Sequence, residues 1–201
     1  FLLVPEYLLR FVAWVLSRLV YRFRVRGDEH IPVQGAAIVV ANHVSFVDAV
    51  LLMAASPRPI RFIMDHRIFA TPVLGALFRL ARAIPIAPQK DDPQVYERAI
   101  AEAAQVLKEG DLLGIFPEGG ITRDGTLQPF KGGLMKILES RPTPVVPMAL
   151  LIEYPVRPGQ SLLGPVLIGL LTGGLAAVTG PNINTMLIAV NPPERRGSAF
   201  S

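Results

Sequence analysis

The chain has 201 residues, enough for one domain with a short accessory segment, and no cysteine, which excludes disulfides, thiolate nucleophiles and cysteine-ligated metals. Hydrophobic residues make up 51% and charged ones 18%, below the roughly 25% charged of an ordinary soluble domain, so much of the surface is expected to meet lipid. A net charge of +4, a pI of about 9.8 and a mean hydropathy of +0.42 favour an anionic membrane surface and argue against nucleic acid, because the 7% of aromatic residues build no stacking platform among the lysines and arginines.

Residues 1–26, FLLVPEYLLRFVAWVLSRLVYRFRVR, mix a long apolar run with Arg10, Arg18, Arg22, Arg24 and Arg26. Phe11, Trp14, Val15 and Leu19 recur at helical spacing and predict an amphipathic helix. Arginines interrupt the run too often for a membrane span and follow its apolar part, whereas a signal peptide carries its charge first. A helix lying in the membrane interface fits this pattern, with an ordinary core-packing helix as the alternative.

From 27 to 157 the pattern alternates and predicts one domain. AAIVVA (36–41), IRFIM (60–64), AIPI (83–86), LLGIF (112–116) and PVVPMAL (144–150) read as short buried strands. Residues 46–55, 67–82, 94–109 and 132–139 read as helices, the third ending at Gly110. The expected fold class is α/β, with a mixed, largely parallel central sheet flanked by helices. After Arg157 no charged residue occurs from Pro158 to Pro193, and SLLGPVLIGLLTGGLAAVTG is long enough to cross a bilayer. Residues 158–201 are therefore expected to form a hydrophobic, membrane-spanning segment and a loop, with a buried hairpin of the domain as the alternative.

Two constellations carry chemistry. In VVANHVSFVD, His43 and Asp48 stand five positions apart, which puts them about 140° from each other on a regular helix. They meet only if His43 sits in the loop after the strand and Asp48 in the first helical turn. Ser45 supports this, because Ser-x-x-Asp from 45 to 48 resembles a capping box. Asp48 would then hold one imidazole nitrogen and leave the other free to take a proton. A helix-start carboxylate beside an unrelated loop histidine is the alternative. In LLGIFPEGGITRDGTLQPFKGG, a buried strand runs into a loop bearing Glu118, Arg123 and Lys131. Gly119 and Gly120 permit close backbone approach to a ligand, and the two cations beside glycine amides make a cradle for a phosphate. A polar glycine-rich turn is the competing reading.

NHVSFVD followed about seventy residues later by FPEGG resembles the glycerolipid acyltransferase family that includes lysophosphatidic acid acyltransferases. His43 and Asp48 match the family's H-x4-D block, Phe116, Pro117, Glu118 and Gly119 its F-P-E-G block, and Val146, Pro147 and Ala149 its V-P-x-A-like strand. RVRGDEHIP resembles the lead-in to the first strand, and the similarity covers roughly residues 20–150. The resemblance implies a glycerol-3-phosphate acyltransferase-like fold and acyl transfer to the free glycerol hydroxyl of a lysophospholipid. His43 would be the base and Asp48 its support. Glu118, Gly119, Arg123 and Lys131 would organise the glycerophosphate head. Acyl-CoA or acyl carrier protein would be the co-substrate, with no metal or other cofactor. A membrane phospholipid surface, at the cytoplasmic face of the inner (plasma) membrane, would be the partner.

The sequence departs from the family pattern twice. Gly120 stands where a threonine is usual and Arg123 comes two places late, so this loop is closer to acyltransferases acting on 2-acylglycerophosphoethanolamine. AIPIAPQK lacks the usual arginine of the second block, for which Lys90, Arg79 or Arg82 could substitute. The tail GPNINTMLIAVNPPERRGSAFS resembles a piece of a major-facilitator transporter, with Arg195 and Arg196 on a cytoplasmic loop. Two other functions stay open at this level: a non-catalytic lipid-binding domain of a transporter fusion, and an esterase or thioesterase using the same base on water.

Overall fold

The computed structural model describes residues 3–20, 22–45, 47–122, 126–153 and 185–190. In chain order these form α1 (Leu3–Val20), β1 (Arg22–Arg26), β2 (Ala37–Ala41), α2 (Asp48–Ala55), β3 (Ile60–Asp65), α3 (Pro72–Leu80), β4 (Ile84–Ile86), α4 (Pro93–Lys108), β5 (Leu112–Ile115), α5 (Gly133–Ser140), β6 (Val145–Glu153) and β7 (Thr185–Val190), with short 3₁₀ turns at Asp28–His30 and His66–Ala70. Five strands and four helices fall where the alternating pattern of 27–157 predicts them.

Ala37–Ala41 is buried at every position, as a strand covered on both faces must be. It is the middle strand of a sheet ordered β1-β7-β6-β2-β5-β3-β4, in which every pairing is parallel except that of β6 with β7. The chain steps from β2 to β4 through α2 and α3, then back to β6 through α4 and α5. Right-handed crossovers therefore put α2 and α3 on one face and α4 and α5 on the other. The core divides accordingly. Val39, Phe62 and Met148 pack with Leu51 and Leu52 of α2 on the first face, whereas Ile38, Val40 and Leu113 pack with Ala103, Val106 and Leu107 of α4 on the second. Each fully buried leucine or isoleucine there contributes roughly 1.5–3 kcal/mol.

Helix α1 lies against α2 on the first face with an unusual distribution of side chains. Its inner stripe is small or polar, with Glu6, Ala13 and Ser17 buried, while Leu8, Phe11, Val12 and Leu16 are exposed. The helix is shorter than the expected 1–26. Arg22-Phe-Arg-Val-Arg26 alternates with a period of two and forms an edge strand, with Val25 packed on the core.

The C-terminal expectation is corrected in part. Thr185–Val190 is neither a transporter-like helix nor a loop: it is β7, antiparallel to β6 from Met148↔Val190 to Glu153↔Thr185, and parallel to β1. Residues 158–184, including the apolar stretch, and 191–201, including Arg195 and Arg196, lie outside the described residues. Among the described residues no helix is long and apolar enough to cross a membrane.

Because β2 and β5 are parallel neighbours, with Val40 opposite Ile115, the loops that follow them leave the same edge of the sheet side by side. The carboxyl edge of a parallel sheet is where such folds place their ligands.

Candidate active site

Residues 42–48 leave β2 in an order set by hydrogen bonds. Asn42 stops the strand and extends its pairing through a side chain: Nδ2 donates to the Leu150 carbonyl at 3.0 Å, and Oδ1 accepts from Leu150 N at 2.7 Å. Three donors then converge on one oxygen, Asp48 Oδ2. These are His43 Nδ1 at 2.9 Å, Val44 N at 2.7 Å and Ser45 N at 2.8 Å. The Ser45 contact is the half of a capping box in which the carboxylate reaches back to the start of the helix. Ser45 Oγ accepts from Val47 N at 3.3 Å, so its hydroxyl holds the loop and not the third helical amide. Asp48 is fully buried, and its second oxygen, Oδ1, has no hydrogen-bond partner among the described residues.

With Nδ1 committed to Asp48 as donor, Nε2 of His43 keeps the lone pair. The imidazole side chain is 18% exposed, whereas the Asp48 carboxylate behind it is fully buried. One ring face is covered by Phe116, whose centroid lies 4.1 Å away at an interplanar angle of 14°, and Phe62 stacks behind Phe116 at 5.8 Å. The site thus holds a base with a fixed tautomer and a fixed ring plane.

The loop after β5 is tied to this base. Glu118 is 4% exposed, and its oxygens accept backbone N–H groups from two separate segments: Oε1 from His43 at 2.8 Å and Oε2 from Gln128 at 2.8 Å. Thr122 N donates to the His43 carbonyl at 2.9 Å, and Lys131 N to the Pro117 carbonyl at 2.8 Å. Gly119, with φ of 64°, lies in the left-handed region that the loop requires. A Cβ there would come within 2.7 Å of the Lys131 side chain, whose Nζ donates to the Gly119 carbonyl at 3.2 Å.

His43 is thus in direct contact with Asp48 and Glu118, and Gly119 with Lys131. Arg123 lies outside the described residues. Each oxygen of the buried Glu118 carboxylate spends one acceptor site on an amide of the protein itself, so the side chain ties the His43 and Gln128 segments together. Of the three cations considered for the second block, two are on the wrong side. Arg82 precedes β4 and pairs with Glu6 at 3.4 Å, and Arg79 closes α3 with a bond to the Phe69 carbonyl at 3.0 Å. Only Lys90 follows β4, at the sheet edge that carries His43.

Asn42, Phe116 as a stacking partner and Gln128 were not singled out from the sequence for these roles. Asn42 carries a usable signal, since a lone amide next to the histidine at the end of a buried strand needs partners for both its donor and its acceptor. The Phe116 stack and the Gln128 amide depend on pairings across 73 and 10 residues, which leave no local trace.

A doubly covered, mostly parallel α/β sheet with an Asp-held histidine and a glycine loop at its carboxyl edge defines the class. Residues 22–151 match the family described as "Acyltransferase", and the chain belongs to it. It is 34% identical over 128 residues to a 1-acyl-sn-glycerol-3-phosphate acyltransferase of Limnanthes douglasii, across 63% of this chain and 44% of that protein. With the enzyme of the same name from Bacillus subtilis (strain 168) it shares 27% over 127 residues, 63% of this chain and 61% of the other. In fold it resembles the crystal structure of the 1-acyl-sn-glycerophosphate acyltransferase PlsC from Thermotoga maritima, with a TM-score of 0.65 and 22% identity over 93% of this chain and 68% of that one. The matched segment spans less than half of the Limnanthes relative.

Proposed function

We propose that the chain carries the acyl-transferring domain of a lysophospholipid O-acyltransferase. The observation that carries this reading is the 2.9 Å contact between His43 Nδ1 and Asp48 Oδ2, which leaves Nε2 free of that bond at the sheet edge from which the loop bearing Gly119 and Lys131 also leaves. Nε2 takes the proton of the free glycerol hydroxyl while that oxygen attacks the thioester carbonyl of the donor. The buried Asp48 carboxylate faces the imidazolium so formed, and the stacked Phe116 holds the ring plane. Collapse of the tetrahedral adduct breaks the C–S bond, and the imidazolium returns its proton to the departing thiolate. The products are a diacyl lipid and a free thiol, and the chemistry balances without a metal or prosthetic group.

Lys131, Arg123 and Lys90 are assigned to the phosphate of the acceptor, and acyl-CoA or acyl carrier protein to the donor. The family relatives named for 1-acyl-sn-glycerol-3-phosphate favour that acceptor, while the EGGITRDG loop favours 2-acylglycerophosphoethanolamine. The exposed apolar face of α1 supports residence on a membrane surface, which we assign to the cytoplasmic leaflet of the inner membrane. Purified protein incubated with lysophospholipids of several head groups and either donor, with products resolved by mass spectrometry, tests the reading. Diacyl product from at least one pair is expected. Free fatty acid alone would identify a hydrolase, and no product from any pair would leave a lipid-binding domain.

A further inference from the structure

Apart from the catalytic rim, the structure holds a cavity of about 480 Å³ between α1, β1 and the far end of α2. Helix α1 lines it with Arg10, Trp14 and Arg18, a stripe at four-residue spacing, and the β1 region adds Arg24, Arg26 and Asp28. Four arginines and one acid therefore surround one space. None of the four forms an ion pair with a described residue. Arg10 donates Nε to the Ser56 carbonyl at 2.7 Å, and the Arg18 guanidinium lies 4.6 Å from the Trp14 ring centroid. The clustered positive charge creates a potential that draws anions, and guanidinium forks match phosphate oxygens two at a time. The volume lies in the range of small-molecule sites and exceeds what a bare phosphate needs.

The surroundings point to the kind of anion. Immediately around α1 from the Arg10–Trp14–Arg18 stripe, the exposed Leu8, Phe11, Val12 and Leu16 form an apolar surface. A ligand with a phosphate in the cavity and hydrocarbon along that surface would satisfy both. We propose that this cavity binds the phosphate head of an anionic membrane phospholipid, at a site separate from the one that performs acyl transfer. Asp48 is the first residue of α2 and Ala55, at the cavity, its last, so the two sites lie about 10 Å apart along that helix. The proposal rests on the membrane-surface reading of α1 and is independent of the chemistry at His43.

The test is a calorimetric titration of the full chain with monomeric short-chain phosphatidylglycerol, an anionic phospholipid that is not a product of either acceptor considered above, with inorganic phosphate and short-chain phosphatidylcholine as parallel probes. Saturable binding of phosphatidylglycerol is expected, at least about tenfold tighter than either other probe. The double substitution Arg24→Lys/Arg26→Lys keeps the charge but loses the forks, and is expected to weaken phosphatidylglycerol binding about tenfold. Arg18→Lys, at an exposed position, makes the same test if thermal melting shows the double variant to be unfolded. Undiminished binding in the lysine variants would reduce the cavity to diffuse charge, and equal affinity for inorganic phosphate would make it a free-anion site; either overturns the proposal, as does the absence of saturable binding.

Discussion

The proposed chemistry gives the Asp48 carboxylate a second role beside its structural one, and substitution can separate the two. Oδ2 holds the backbone of Val44 and Ser45 as well as the imidazole. Asp48→Asn can keep an oxygen beneath all three donors but removes the charge that faces the imidazolium. Turnover should fall by roughly 10²–10⁴ with the thermal midpoint little changed. An equal loss of stability and activity would mean that the carboxylate only caps the helix. Glu118 gives the opposite expectation. Both its oxygens accept backbone amides, so Glu118→Gln turns an N–H toward one of them and should cost about 1–3 kcal/mol, lowering the midpoint by about 2–4 °C per kcal/mol. If Glu118 instead contacts substrate, the variant will raise KM and melt like the parent.

At the scale of elements, α1 is the part whose surface least suits water. Its buried stripe of Glu6, Ala13 and Ser17 contacts the domain, and its large apolar residues point away. Leu8→Glu/Phe11→Glu should therefore leave melting within about 0.5 kcal/mol of the parent, as surface changes do, while abolishing sedimentation with phosphatidylcholine vesicles. Retained vesicle binding would place the lipid contact elsewhere. The same element shows where sequence reading stops. Buried runs such as AIVVA and LLGI were legible because turn residues bound them and they are short. RFRVR reads as a basic flank of the preceding helix because of its arginines, although their alternation is that of an edge strand. TMLIAV, a short apolar run, has no periodicity that separates strand from helix, and only pairing with β6 and β1 decides it.

For the whole molecule, the site is a consequence of strand order. β2 and β5 lie far apart in sequence, with β3 and β4 between them, yet are neighbours in the sheet, so His43 and Glu118 meet across 75 residues. The His43–Asp48 contact was legible because it is local and Ser45 marks the start of the helix. The function of Glu118 was not, because its two amide partners come from different loops. The proposed function makes Nε2 of His43 the base for acyl transfer on a lipid surface. The most direct measurement compares the parent with His43→Ala for formation of diacyl lipid under saturating donor and lysophospholipid, with vesicle binding assayed on the same preparations. A fall in turnover of at least about 10²-fold with unchanged vesicle binding is expected. A variant that still forms diacyl lipid at the parent's rate would contradict it.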